Sequence, residues 1–213
     1  PWEVREPYYR SALEQLDRLF YIRLPRDLEL SPPFGPEIYA WEQDYFIDNF
    51  VERHLGLDGT ALRDHEELSR LSKNLGASHR NLVHRDFQSQ NLILREEKTW
   101  IIDFQGLRLG RQEYDLASLI YDPYLDHSKE DQNKLLDLWE EISEERPVPE
   151  LLRDCAIQRL MQALGAYAHI LHEQRNDWYA QHISAGAKLL LAQIEDTPLD
   201  DLLRPILEGA VEK

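Results

Sequence analysis

Leucines and aromatic residues recur at helical spacing along most of this chain, and the pattern breaks to a strand-like one at a single place. Leu13, Leu16, Leu19 and Phe20 predict a helix over Tyr8 to Leu24, ended by Pro25. From Leu30 to Pro36 the run Ser31-Pro32-Pro33-Phe34-Gly35-Pro36 reads as a loop. A second helix is expected from Glu42 to Leu55, stopping at Gly56, and a third from Thr60 through Leu68, Leu71 and Leu75 to Gly76. The pattern then changes. Leu92-Ile93-Leu94 and Trp100-Ile101-Ile102 are short, β-prone runs separated by Arg95-Glu96-Glu97-Lys98-Thr99, the signature of an antiparallel hairpin with a longer loop. Pairing the strands about Glu97 sets Asn91 opposite Asp103. Helical spacing returns at Leu135, Leu136 and Leu138, behind a capping box at Ser128-Lys129-Glu130-Asp131. Pro147 and Pro149 interrupt it. Helices follow over Glu150 to Glu173 and Asp177 to Glu195, with a short one after Pro198. The expected fold class is mostly α (α+β), a helical bundle around one small hairpin, with no internal domain boundary.

Composition narrows the function. The 213 residues are 42% hydrophobic, enough for an ordinary core. A net charge of −16 argues against nucleic-acid binding, which needs a basic footprint, and only faintly suggests a cationic substrate. Most of the carboxylates read as solvated helix faces. Cys155 is alone, so no intramolecular disulfide forms and a reducing cytoplasm is the natural setting. No apolar run is long enough to suggest a membrane span, and the amino terminus does not look like a signal peptide.

The hairpin lies between two motifs that carry chemistry. His84-Arg85-Asp86-Phe87-Gln88-Ser89-Gln90-Asn91 fits the phosphoryl-transfer catalytic loop H-R-D-x-x-x-x-N, and Asp103-Phe104-Gln105-Gly106 fits a D-F-x-G metal turn. Asp86 is expected to orient the acceptor hydroxyl and take its proton. Asn91 and Asp103 are expected to hold magnesium against the phosphates of ATP, with GTP not excluded. Magnesium favours oxygen ligands, often one or two carboxylates completed by substrate phosphates. His84 is expected to hold the loop by hydrogen bonds, and Arg85 sits where a triphosphate brings its charge. Asp115, at the start of the apolar run Leu116-Ala117-Ser118-Leu119-Ile120, either caps a helix or hydrogen-bonds the catalytic loop. Asp122, Tyr124 and Gln88 are the substrate candidates. After Gly106 the chain reaches Tyr114-Asp115 too soon for the activation segment of a protein kinase, which points to a small acceptor.

These residues resemble the aminoglycoside phosphotransferase and choline kinase superfamily, the small-molecule branch of the protein-kinase-like fold. Tyr45 to Gly56, the two catalytic motifs, and Arg159-Leu160-Met161-Gln162-Ala163-Leu164-Gly165 look closest to the bacterial amino-sugar kinases acting on N-acetylmuramate and N-acetylglucosamine. The resemblance implies ATP-dependent phosphorylation of a sugar or amino-sugar hydroxyl. Aminoglycoside, choline or homoserine-type kinases are the alternative, and a non-catalytic binding or scaffolding lobe is the alternative outside the enzymes. Gln88 and Gln90 depart from the histidine and arginine more usual in the amino-sugar group. Nothing here resembles the glycine-rich phosphate loop or an early lysine-bearing strand, so the chain reads as a carboxy-terminal lobe, either cut from a longer kinase, which is the favoured reading, or a natural minimal protein that lost the other lobe. An upstream nucleotide-clamping lobe is expected in the full-length protein, and the isolated chain is expected to turn over poorly.

Tyr167, His169, His172, Trp178 and Tyr179 suit a sugar pocket in type, but at helical spacing they read first as packing residues. His169 and His172 stand three apart with no Cys or carboxylate pair to complete a zinc set, so no zinc site is expected.

Overall fold

The computed structural model describes residues 1–25, 27, 29–77, 80–96, 98–125 and 127–211. They group into two compact units, each discontinuous in sequence: Pro1–Phe34 with His79–Leu152, and Gly35–Ser78 with Arg153–Lys213.

The first unit is built on helix α1 (Trp2–Phe20), two antiparallel ribbons, and helices α4 (Gln112–Ile120) and α5 (Lys129–Ser143). α1 begins six residues before its expected start and contains Pro7, which the sequence pattern placed outside it. Tertiary contacts explain the extension: Trp2 stacks on Tyr9, and Arg5 pairs with Asp131 at 2.9 Å. α1 stops at Phe20, ahead of the expected Leu24.

Strands β1 (Asn81–Val83) and β4 (Arg108–Gly110) pair antiparallel, Val83 opposite Arg108. No sequence pattern announced this ribbon, because each strand has three residues and the partner lies some 25 positions away. Gly110 allows it to close, since a Cβ there would stand 2.8 Å from the Phe34 ring and 2.9 Å from Val83. Nested inside it, β2 (Leu92–Arg95) and β3 (Lys98–Ile101) form the expected hairpin with a different register. Arg95 pairs with Lys98, so the loop has two residues rather than five, and Glu96 takes a left-handed φ of 53° as such tight turns require. Glu97 lies outside the described residues. Centring the turn between positions 96 and 97 moves the pairing by one: Leu92 faces Ile101 and Asn91 falls beside Ile102, not Asp103. The hairpin is hung on α1 through Thr99, whose hydroxyl donates to the Tyr8 carbonyl (2.7 Å) and whose own carbonyl accepts from the Gln15 amide (2.6 Å).

Ser128 caps α5 as its capping box predicts, its hydroxyl accepting from the Asp131 N–H at 3.1 Å, and Leu135, Leu138 and Trp139 are buried beneath. Tyr9 donates to His127 at 2.7 Å, joining α1 to the segment before α5.

The second unit is helical: α2 (Pro36–Phe46), a π-helical segment over Ile47–His54, α3 (Glu66–Gly76), α6 (Pro149–Glu173), α7 (Ala180–Ile194) and α8 (Asp200–Val211), with the first few residues of α6 belonging to the first unit. The expected helix from Glu42 begins earlier, with Pro36 supplying a preset φ in its first turn. α3 starts at Glu66 rather than Thr60. Asp58 accepts from the Thr60 N–H at 2.9 Å in an Asx turn, and Asp64 has φ 59°, which no α-helix contains. α6 and α7 match their expected spans closely. A buried network links the unit's helices: Gln158 donates to the Tyr39 carbonyl and to Glu42, while Gln43 donates to Gln158. Of the late aromatic residues, Tyr167 is buried and Trp178 is exposed. Among the described residues, no helix is long and apolar enough to cross a membrane.

Candidate active site

The two ribbons define the site. The outer one closes the chain at Val83 and Arg108, the inner one at Leu92 and Ile101, leaving residues 84–91 and 102–107 as two connections held side by side. The first carries Asp86 and Asn91, the second Asp103. Two hydrogen bonds run between the connections: His84 Nε2 to the Ile102 carbonyl at 2.9 Å, and the Ile102 N–H to the Asn91 carbonyl at 3.0 Å. Within the first connection, the Asn91 side-chain amide donates to the Asp86 carbonyl at 2.8 Å, while the Gln88 N–H bonds the Asp86 carbonyl at 2.9 Å. The segment is thereby folded back on itself, tying Asp86 to Asn91, and Asn91 to the residue beside Asp103.

Asp115 carries the tightest support. It is fully buried at the fourth residue of α4, so it is not the helix cap. Its two carboxylate oxygens accept from consecutive backbone N–H groups, His84 at 2.6 Å and Arg85 at 2.8 Å. Arg85 has φ 80°, a left-handed conformation costly for a side-chain-bearing residue, and the paired acceptors hold it there. Asp122 does the same for the far end of the loop. At 1% exposure it accepts from the Ser89 N–H (2.7 Å) and from the Tyr124 N–H (2.9 Å). The carboxylate is turned inward and engaged with backbone. Tyr124 and Gln88 are half-buried, and their backbone N–H groups are bonded to Asp122 and to the Asp86 carbonyl.

His84 is buried, and that burial pushes its pKa below the ordinary histidine value, with the hydrogen bond to Ile102 pulling the other way. A neutral ring with its proton on Nε2 matches that bond. Asp103 is exposed and left-handed at φ 67°, a conformation that aspartate tolerates better than most residues, and its carboxylate accepts from the Gln105 amide. Gly106 carries no steric demand of its own, since a Cβ would meet only ordinary contacts at 3.6 Å and beyond.

Around the polar groups the surface is apolar. Ile93 and Trp100 face each other across the hairpin, both about half exposed, and Ile102 and Phe104 are exposed as well. Beside it an open cleft of about 420 Å³ is lined by Arg18, Ile22, His84, Ile101, Phe104 and Leu107 among others. Among the described residues no three His, Cys, Asp or Glu side chains gather as a metal-holding group. The donors at hand, one carboxylate at Asp103 and the amide oxygen of Asn91 left over once its nitrogen donates to Asp86, are hard oxygens. They fit a magnesium ion that takes its remaining ligands from phosphate and water.

Sequence reasoning missed the clamp by Asp122 and the anchoring of Thr99 on α1. Both join residues more than thirty positions apart, and neither leaves a periodic trace.

Known proteins were compared with the whole chain. The N-acetylmuramate/N-acetylglucosamine kinase of Neisseria meningitidis serogroup B is 27% identical over 186 residues, 80% of this chain and 55% of the relative. The enzyme of the same description from Pseudomonas aeruginosa is 25% identical over 195 residues, 84% of this chain and 58% of the relative. The chain thus spans little more than half the length of these relatives. Among solved structures, a choline/ethanolamine kinase family protein from Mesorhizobium loti superposes with TM-score 0.64 at 15% identity, covering 100% of this chain and 68% of that one. Choline kinase from Streptococcus pneumoniae superposes with TM-score 0.58 at 15% identity, covering 89% and 65%. At such identities these likenesses speak for a shared fold, kinase-like and mostly helical. Residues 4–147 match the sequence profile of the Phosphotransferase enzyme family, and the chain belongs to that family.

Proposed function

We propose that this protein transfers the γ-phosphoryl group of ATP to a hydroxyl of an N-acetylamino sugar, in the manner of a cell-wall amino-sugar kinase. The observation that carries the reading is the tie between the two connections. Asn91 is bonded at one end to Asp86 and at the other to the residue preceding Asp103, so the catalytic loop and the metal turn are one hydrogen-bonded unit. The curated relatives support the amino-sugar acceptor.

Asp86 is the residue that orients the acceptor hydroxyl and takes up its proton. Asn91 and Asp103 would hold magnesium, which would supply positive charge to offset that of the phosphates. Asp115 and Asp122 act at one remove. By fixing the backbone of His84, Arg85 and Ser89 they keep Asp86 from wandering, and catalysis by positioning is sensitive to displacements of an ångström. The half-exposed Ile93 and Trp100 offer an apolar floor for the nucleotide base.

The test uses the natural full-length protein with magnesium, ATP and either N-acetylglucosamine or N-acetylmuramate, with sugar phosphate read by mass spectrometry. Asp86→Asn is expected to lower turnover by about 10²–10⁴-fold, the usual worth of a positioned general base. Turnover in that variant equal to the parent's would remove Asp86 from the mechanism. Product formed only from kanamycin or choline would replace the acceptor and leave the phosphotransfer.

A further inference from the structure

In the second unit, three rings form a strip that ends on an exposed tryptophan. Trp41 on α2 stacks on Tyr45, one turn further along, with centroids 5.3 Å apart and planes within 17°. Tyr45 in turn meets His169 of α6 at 5.8 Å. The inner end is fixed. Asn49, in the π-helical segment, donates its amide N–H to the Tyr45 carbonyl at 3.0 Å, so its side-chain oxygen faces His169 Nδ1 at 3.3 Å. That oxygen can only accept, so His169 Nδ1 carries a proton and donates it. π-helical turns are uncommon in helices and concentrate at functional sites. The close approach behind the strip is permitted by Gly165, where a Cβ would lie 3.0 Å from the Tyr45 ring and from Tyr45 and Phe46 backbone.

The outer end is open. Trp41 is 54% exposed although one of its faces is covered by Tyr45. A large, rigid ring held in place by a stack of partners loses little freedom on binding a flat apolar surface. Two classes of small ligand use such a ring. Quaternary ammonium groups are taken by cages whose aromatic faces surround the cation. Trp41 and Tyr45 are near parallel and present one face, which suits the C–H face of a pyranose instead.

We propose that Trp41, backed by Tyr45 and His169, is a binding shelf for a pyranose ring, and that its ligand is an N-acetylamino sugar. The pyranose part stands on the ring geometry; the choice of an N-acetylamino sugar rests on the function proposed above. The strip is a site of binding with no role in the chemical step.

Saturation-transfer NMR on the 213-residue chain with N-acetylglucosamine tests it. The parent is expected to saturate the sugar ring protons, Trp41→Ala to reduce the effect at least about fivefold, and Trp178→Ala, at the other exposed tryptophan of this unit, to leave it unchanged. A melting temperature unaltered by Trp41→Ala separates lost binding from lost folding. No saturation of the parent, an undiminished effect in Trp41→Ala, or saturation of choline in place of the sugar each overturns the shelf. The two proposals fail separately. Sugar phosphate formed by the full-length protein while saturation of N-acetylglucosamine is undiminished in Trp41→Ala removes the shelf and keeps the kinase, whereas Trp41-dependent binding with no phosphorylated sugar removes the acceptor and keeps the shelf.

Discussion

A single carboxylate shows how much of the site depends on backbone held by side chains. Asp115 sits at zero exposure with each oxygen on a backbone N–H, and one of those N–H groups belongs to a residue in a left-handed conformation. Asp115→Asn keeps the volume but turns an N–H₂ toward one of two donors. A hydrogen bond to a charged group is worth about 1.5–3 kcal/mol, and an unpaired buried donor adds its own penalty, so the variant is expected to lose about 2–4 kcal/mol. For a chain of this size that is a fall in melting temperature of roughly 5–12 °C, measurable by calorimetry. Because Asp86 lies next to Arg85, turnover should fall further than stability explains, with kcat affected more than KM. A variant melting with the parent would deny Asp115 this structural weight.

Among the elements, the junction of α2, the π-helical segment and α6 is tightly specified. Gly165 permits it, and the three contacts a Cβ would make at 3.0 Å include Cα of Phe46 and the Tyr45 carbonyl, neither of which can swing aside. Gly165→Ala is therefore expected to destabilise by about 1–3 kcal/mol through overpacking, despite the better helix propensity of alanine. Gly209 in α8 has nothing within 4 Å, so Gly209→Ala there should stabilise by up to about 1 kcal/mol. Urea unfolding of the pair separates packing from propensity. Two alanines with the same sign of effect would refute the close-approach argument.

At the scale of the whole molecule, pH acts through buried histidines. Burial depresses the pKa of His84 and of His127, the latter bonded to the Tyr9 hydroxyl and the Ile120 carbonyl. In the unfolded chain both titrate near about 6.5, so below that pH the unfolded state binds more protons than the folded one. Their contribution is complete above that value and is lost as pH falls toward the depressed folded pKa. Buried Glu113, pushed up by its own desolvation, works in the opposite sense at more acid pH. The urea midpoint is thus expected to fall between pH 7.5 and 5.5, and His127→Gln to fall less steeply. A midpoint independent of pH in that range would mean the two rings are hydrated.

Much of this protein is determined locally and is legible in one dimension. The candidate residues Asp86, Asn91 and Asp103 stand out because the motifs they match fix residue types at short spacing. Helices such as α5 and α6 do so because a 3.6-residue period and a capping serine are local properties. What the tertiary structure decided is whatever depends on partners far along the chain. The β1–β4 ribbon closes the catalytic segment with two three-residue strands that carry no periodic signal. The hairpin register follows a two-residue turn, which sets Asn91 beside Ile102. That Asp122 is buried and clamps the Ser89 backbone was not legible, because a residue type is written in the sequence and its burial is not. The sequence by itself marked out the candidate groups; long-range packing, which offsets the entropy of loop closure with buried contacts, decided how they are held.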